Sequence, residues 1–239
     1  MAGSGSLLRI RAIRAELTLA SAMCTVLMGC SSIGTDIATL GSVRTGRQIP
    51  IRVPAGEVLP AAEWPQACQL IDRNDVLAIL PEATEIDQMP LHGSTRSIEE
   101  FVADEFWQKS EAPTETGCVY SFQLPGDEAN TSSVWVEISG IADPDLIERY
   151  HERERPSGAS STDYITGVDD CYLRHRYDPQ LICRRGPVRF SVGGSTSAVF
   201  DKYGEAFSYW RDEVLPRFAS SVGNKVGGGE GERPAGESE

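Results

Sequence analysis

The chain has 239 residues, 40% hydrophobic and 24% charged, which are the proportions of a folded globular protein rather than a disordered one. Its formal charge of −13 at pH 7 argues against DNA or RNA as a partner, because the phosphates would be repelled. The length suits one ordinary domain or two small ones.

Arg9, Arg11 and Arg14 precede an apolar run over residues 17–28. Crossing a bilayer takes about 20 apolar residues, so the run reads as the core of a secretory signal instead. It closes on Leu27-Met28-Gly29-Cys30, an aliphatic residue and a small residue placed before a cysteine, which is the layout of a lipoprotein cleavage box. Cys24 is the weaker candidate because Met23 fills the position that should be small. The expectation is a signal peptide over residues 1–29, an acyl anchor on Cys30 in the membrane lipid, and a mature chain near −15 on the extracytoplasmic face of the cell membrane.

Residues 30–60, rich in Gly, Ser, Thr and Pro and lacking periodicity, read as a flexible tether, although Ile49-Pro50-Ile51-Arg52-Val53-Pro54 has the makings of an edge strand. A single domain is expected over residues 61–222. Asp72, with Asp75 three residues later, caps a helix carrying Val76, Leu77, Ile79 and Leu80, and Pro81 stops it. The stretch 82–115 is acidic and ambiguous, with a short amphipathic helix suggested over 97–109. Strands are predicted at 118–124 and 134–139, a helix opening at Asp143-Pro144 and running to about Arg155, and strands at 171–177, 181–185 and 188–192. Gly193-Gly194-Ser195 reads as the turn after the last of these. Tyr203, Phe207, Trp210, Val214, Leu215 and Phe218 recur at three- and four-residue steps, a final amphipathic helix with a kink or break near Pro216. Residues 223–239 have little to bury and are expected to be disordered. The fold class is therefore α+β, a largely antiparallel sheet with packed helices and a hint of a ββα duplication.

Beyond Cys24 and Cys30 the thiols are Cys68, Cys118, Cys171 and Cys183, and four thiols allow three pairings. Cys171 and Cys183 flank the Asp178-Pro179 turn of a predicted hairpin and would face each other, leaving Cys68 for Cys118. The absence of a CxxC spacing argues against zinc or redox use. The segment Cys68-Gln69-Leu70-Ile71-Asp72, followed by Asp75-Val76 and Leu80, and the segment Gly117-Cys118-Val119-Tyr120 resemble two landmarks of the actinobacterial lipoproteins grouped as domain of unknown function 3558. That resemblance implies a surface lipoprotein of undetermined role and supplies no catalytic residues. Tyr120 in place of the commoner Trp, and the pair Cys171 and Cys183, depart from the pattern.

His92, His151 and His175 lack partners at metal-ligand spacing, and His151 reads as part of a solvated helix end. Gly193-Gly194-Ser195 lacks the GxSxG frame, and no GxGxxG follows a strand, so no catalytic residue, metal or cofactor is expected. Arg174, Arg176, Arg184, Arg185 and Arg189, with His175, concentrate positive charge on one hairpin. They suit an anionic wall polymer or lipid headgroup, through paired donors to planar oxyanions, or else ion pairing with Asp169, Asp170 and Asp178. The functional expectation is a non-enzymatic module that binds a ligand or an envelope protein. An envelope hydrolase of unrecognised arrangement and an accessory subunit of a transporter or sensor complex are the rivals.

Overall fold

A computed structural model describes residues 37–93, 98, 114–127, 132–159, 161–175, 178–200 and 206–227. Six strands form one sheet: β2 (Thr84–Gly93), β3 (Thr114–Gln123), β4 (Ser132–Ile141), β5 (Asp170–His175), β6 (Pro179–Arg185) and β7 (Val188–Ser195). They run in the order β2-β3-β4-β7-β6-β5 with every neighbour antiparallel. Two three-stranded meanders thus meet at β4 and β7. A second, two-stranded sheet pairs β1 (Ile37–Ala38) in parallel with β8 (Val199–Phe200).

Period-2 burial explains the sheet. On β4, Val134, Val136 and Ile138 are buried while Trp135, Glu137 and Ser139 are only partly so, which leaves two unlike faces. One face carries Cys118, Tyr120, Phe122, Val136, Leu181, Phe190 and Val192 into the main core, against helices α1 (Arg73–Ile79) and α4 (Leu215–Val226). The other face receives α2 (Pro144–Glu154), which buries Leu146, Ile147 and Tyr150 in a smaller core with Ile98 and Ala142. Helices therefore cover both faces, and the fold is α+β as expected. A ββα repeat is not what forms: each meander has three strands, and the helices that follow, α2 and α4, lie on opposite faces.

The capping box predicted from Asp72 and Asp75 is present: Asn74 N and Asp75 N donate to Asp72 Oδ1 at 2.7 and 3.0 Å, and Asp72 N donates to Asp75 Oδ2 at 2.7 Å. Asp143 caps α2, with Pro144 at its first position. The last helical stretch begins as α3 (Ala206–Tyr209) and widens over Trp210–Val214, where Leu215 N donates to Trp210 O, five residues back, before α4 resumes. Pro216 has no N–H and its ring crowds the preceding turn, so where a kink or break was expected a wide turn ahead of it carries the helix through without a break.

Four expectations change. The tether over residues 30–60 is packed from Ile37 onward: Ala38 and Ile51 are buried, Ile49 N donates to Lys225 O at 2.8 Å, and Leu59 N to Ile141 O at 2.8 Å. Apolar residues in this segment find the core without any regular period, which is why patterning missed them. The expected tail from residue 223 is helical to Val226, with Gly223, Lys225 and Val226 buried. Gly193 and Gly194 extend β7 instead of turning, because a side chain at 193 would meet the Trp135 indole and one at 194 the Ser133 carbonyl. Within the ambiguous acidic stretch, residues 84–93 form the edge strand β2; its charges, Pro90 and an irregularity at Glu85, φ 50°, suit an edge and disguise a strand. The helix expected over 97–109 lies outside the described residues except for Ile98, which is helical and buried.

Candidate functional site

Cys30 and Arg176 lie outside the described residues, as do the side chains of His92 and His175. Both disulfides are formed, Cys68–Cys118 and Cys171–Cys183, with S–S distances of 2.05 and 2.00 Å. Cys171 and Cys183 face each other in the β5–β6 register, as the hairpin argument requires.

The arginine cluster is divided among carboxylates. Arg184 pairs with Glu148 at 2.8 Å and lies 3.8 Å from Asp169; Arg185 pairs with Asp169 at 2.6 Å, and Gly186 N adds a bond to the same carboxylate at 2.7 Å. Arg174, opposite Gln180, stays half-buried at the sheet edge. Arg189 is buried. Its guanidinium donates to Tyr172 OH at 3.0 Å and Ser139 Oγ at 2.8 Å and lies 4.7 Å from the Tyr150 ring centre. Ion pairing thus accounts for Arg184 and Arg185, and Arg189 is a strut between α2 and the sheet.

His151 sits at the centre of this strut. It was expected at a solvated helix end, yet it is fully buried, its ring 4.9 Å from that of Tyr172 and its Nε2 3.3 Å from Asp170 Oδ2. The signal was available: Ile147, Tyr150 and His151 fall on one stripe of α2 at helical spacing. Mixed charge in His151-Glu152-Arg153-Glu154-Arg155 masked it.

Burial, followed by the charges of Arg189, Arg155 and Arg184, holds the His151 pKa down at about 3. Asp170 alone would favour the charged ring, but Arg155 already engages that carboxylate, and three guanidiniums with burial outweigh it. His151 is therefore neutral at pH 7. Among the described residues neither ring nitrogen has a hydrogen-bond partner, so no hydroxyl or thiol is poised to give its proton to the imidazole. Glu137, on the same sheet face, has its pKa raised by burial against the opposing charge of Arg189. No three His, Cys, Asp or Glu side chains gather at metal-binding distance among the described residues.

Because the folded pKa of His151 is below the ordinary value of about 6.5, the unfolded chain binds the extra proton first, and stability falls as pH drops through the window from about 6.5 to 3. The slope is at most about 1.4 kcal/mol per pH unit for one proton. Urea midpoints of wild type and His151→Gln across this window should diverge, with the wild type steeper; parallel profiles would rule out the neutral buried ring.

A groove of about 400 Å³, formed largely by the segment expected to be a tether, is lined by Ile49, Pro50, Ile51, Leu59 and Pro65, with Arg52 and Glu63 as its charges. Compared with protein-family models, curated proteins and solved structures, the chain matches none.

Proposed function

We propose that this chain is a lipid-anchored envelope lipoprotein whose α+β domain works by binding a ligand or a partner protein rather than by catalysis. The reading is carried by one conjunction: the box Leu27-Met28-Gly29-Cys30 stands ahead of a domain whose four remaining thiols are closed in two disulfides. Disulfides persist in oxidising compartments, which a secretory leader reaches. Acylation at Cys30 then holds the domain at the membrane surface. The groove beside Ile49 and Leu59 has the size of a small-ligand site and mixes apolar side chains with Arg52 and Glu63, and is the surface on which binding is best sought.

The test is metabolic labelling with tagged palmitate, comparing wild type with Cys30→Ala. Label and membrane recovery are expected for the wild type and loss of both for the variant. Equal labelling of the two would overturn the assignment.

A further inference from the structure

We infer that the groove beside Ile49 and Leu59 takes an amphiphilic anion, its hydrocarbon chain along the apolar wall and its acid group at Arg52. The inference depends on the binding role proposed above for this groove and adds the class of ligand.

Local charge is the first support. Between Asp36 and Glu57 the sequence carries Arg44, Arg47 and Arg52 and no acid, in a chain with 35 Asp and Glu against 22 Lys and Arg. The segment is fastened to the domain: Gly41 N donates to Ile79 O at 2.8 Å, Ser42 N to Ala78 O at 2.9 Å and Ile49 N to Lys225 O at 2.8 Å. All three arginines are exposed. Among the described residues none of the three enters an ion pair, whereas Arg155, Arg184, Arg185, Arg211 and Arg217 all do. Acids close to the segment are engaged elsewhere. Asp72 caps α1 and faces Lys225, Asp143 caps α2 and accepts from Gly56 N at 3.1 Å, and Glu82 accepts from Thr39 N at 3.2 Å. A guanidinium without a carboxylate partner can hold a carboxylate or a phosphate through paired donors. Glu63 shares the groove and repels an acid group, which places that group at Arg52.

The wall of the groove is the second support, because its main chain has few hydrogen bonds to give. Pro50 and Pro65 have no N–H. The N–H groups of Ile49, Leu59 and Glu63 go to the carbonyls of Lys225, Ile141 and Pro60, and the Leu59 carbonyl accepts from Trp64 Nε1 at 2.7 Å. A peptide added as a strand draws its affinity from main-chain bonds, and a buried sugar needs a partner for each hydroxyl. This wall supplies neither. A hydrocarbon chain needs no such partners and leaves water for Ile49, Leu59 and the two proline rings. Screening at physiological ionic strength acts over about 8 Å, so a single acid group at Arg52 is governed by the nearby arginines. A long polyanion would run on to the acidic remainder of the surface.

Photoaffinity labelling tests this. The acylated full-length protein in phosphatidylcholine nanodiscs is irradiated with diazirine-bearing hexadecanoic acid, hexadecyl phosphate or hexadecanol, and adducts are mapped by mass. The acids should label residues 49–65 several-fold more than the alcohol does. Arg52→Gln should reduce that labelling to the level of the alcohol, and Glu63→Gln should raise it; both side chains are exposed, so the core is undisturbed. Labelling by one acid alone would support the inference and identify the headgroup as carboxylate or phosphate. Equal labelling by the alcohol, or labelling that neither substitution changes, would overturn the anionic class while leaving a groove that binds apolar chains. Absence of label over 49–65 from every probe would overturn the groove as the binding surface, with the acylation of Cys30 untouched.

Discussion

Lys225→Ala should lower the free energy of unfolding by about 3–5 kcal/mol, the range for breaking a buried ion pair from one side. Lys225 is 2% exposed, and its Nζ pairs with the buried carboxylate of Asp75 and lies 3.5 Å from Asp72. Ser221 Oγ donates to Asp75 Oδ1 at 3.0 Å. Asp75 is also half of the α1 capping box, so one carboxylate joins the start of α1 to the last turn of α4. Without the ammonium, that carboxylate stays in the core with a hydroxyl and a backbone amide for company and no counter-charge. Replacing both partners, Lys225→Met with Asp75→Asn, removes the stranded charge and should cost clearly less than the two single changes summed. Urea unfolding of Lys225→Ala, of Lys225→Met and Asp75→Asn singly, and of the double variant reads this directly. Additive losses, or a loss under about 1 kcal/mol for Lys225→Ala, would show that the pair is not a keystone.

The Asp75–Lys225 pair also shows what the amino-acid sequence reveals and what it hides. The capping box was legible because its two members are three residues apart and the chemistry is local. The lysine that completes it is 150 residues away, inside a Gly-rich stretch that reads as solvent-exposed tail. The strands β3 to β7 and the helix after Asp143-Pro144 were legible from alternation and capping, since each needs only its own residues. β2 was not: its Glu85, Asp87 and Pro90 suit an edge strand, and only pairing with β3 fixes it. The same division runs through the candidate site. Disulfide pairing followed from the hairpin register; the burial of His151 was legible from its stripe with Ile147 and Tyr150, but its neighbours Tyr172 and Arg189 emerge only from the packing of α2 on the sheet. The ion pairing of the arginine cluster with Asp169 was legible because the partners lie close in the chain, whereas Glu148, 36 residues from Arg184, was not.

Removing Cys68–Cys118 by a double Cys→Ala change should cost about 4 kcal/mol, and removing Cys171–Cys183 about 3, if each acts by restricting the unfolded chain. The ranking comes from loop size: the first bond closes a separation of 50 residues and the second one of 12. The two bonds also do different structural jobs. Cys68 ties the short helical turn Ala67–Gln69, ahead of α1, to β3, a link supported locally by the Tyr120 OH bond to Ile71 O at 2.9 Å. Cys171–Cys183 joins strands that the β5–β6 ladder already holds in register. Access differs as well, since Cys68 is partly exposed whereas Cys171 and Cys183 are fully buried. A thiolate must reach a sulfur to exchange with it, so reductant acting on the native protein should open Cys68–Cys118 first. Mass analysis of alkylated thiols over time gives that order, and urea midpoints of the two double variants give the energies. A larger loss from the short-loop bond would mean that packing of the buried sulfurs outweighs chain entropy. Early reduction of Cys171–Cys183 would mean that β5, at the sheet edge, opens before the rest of the domain.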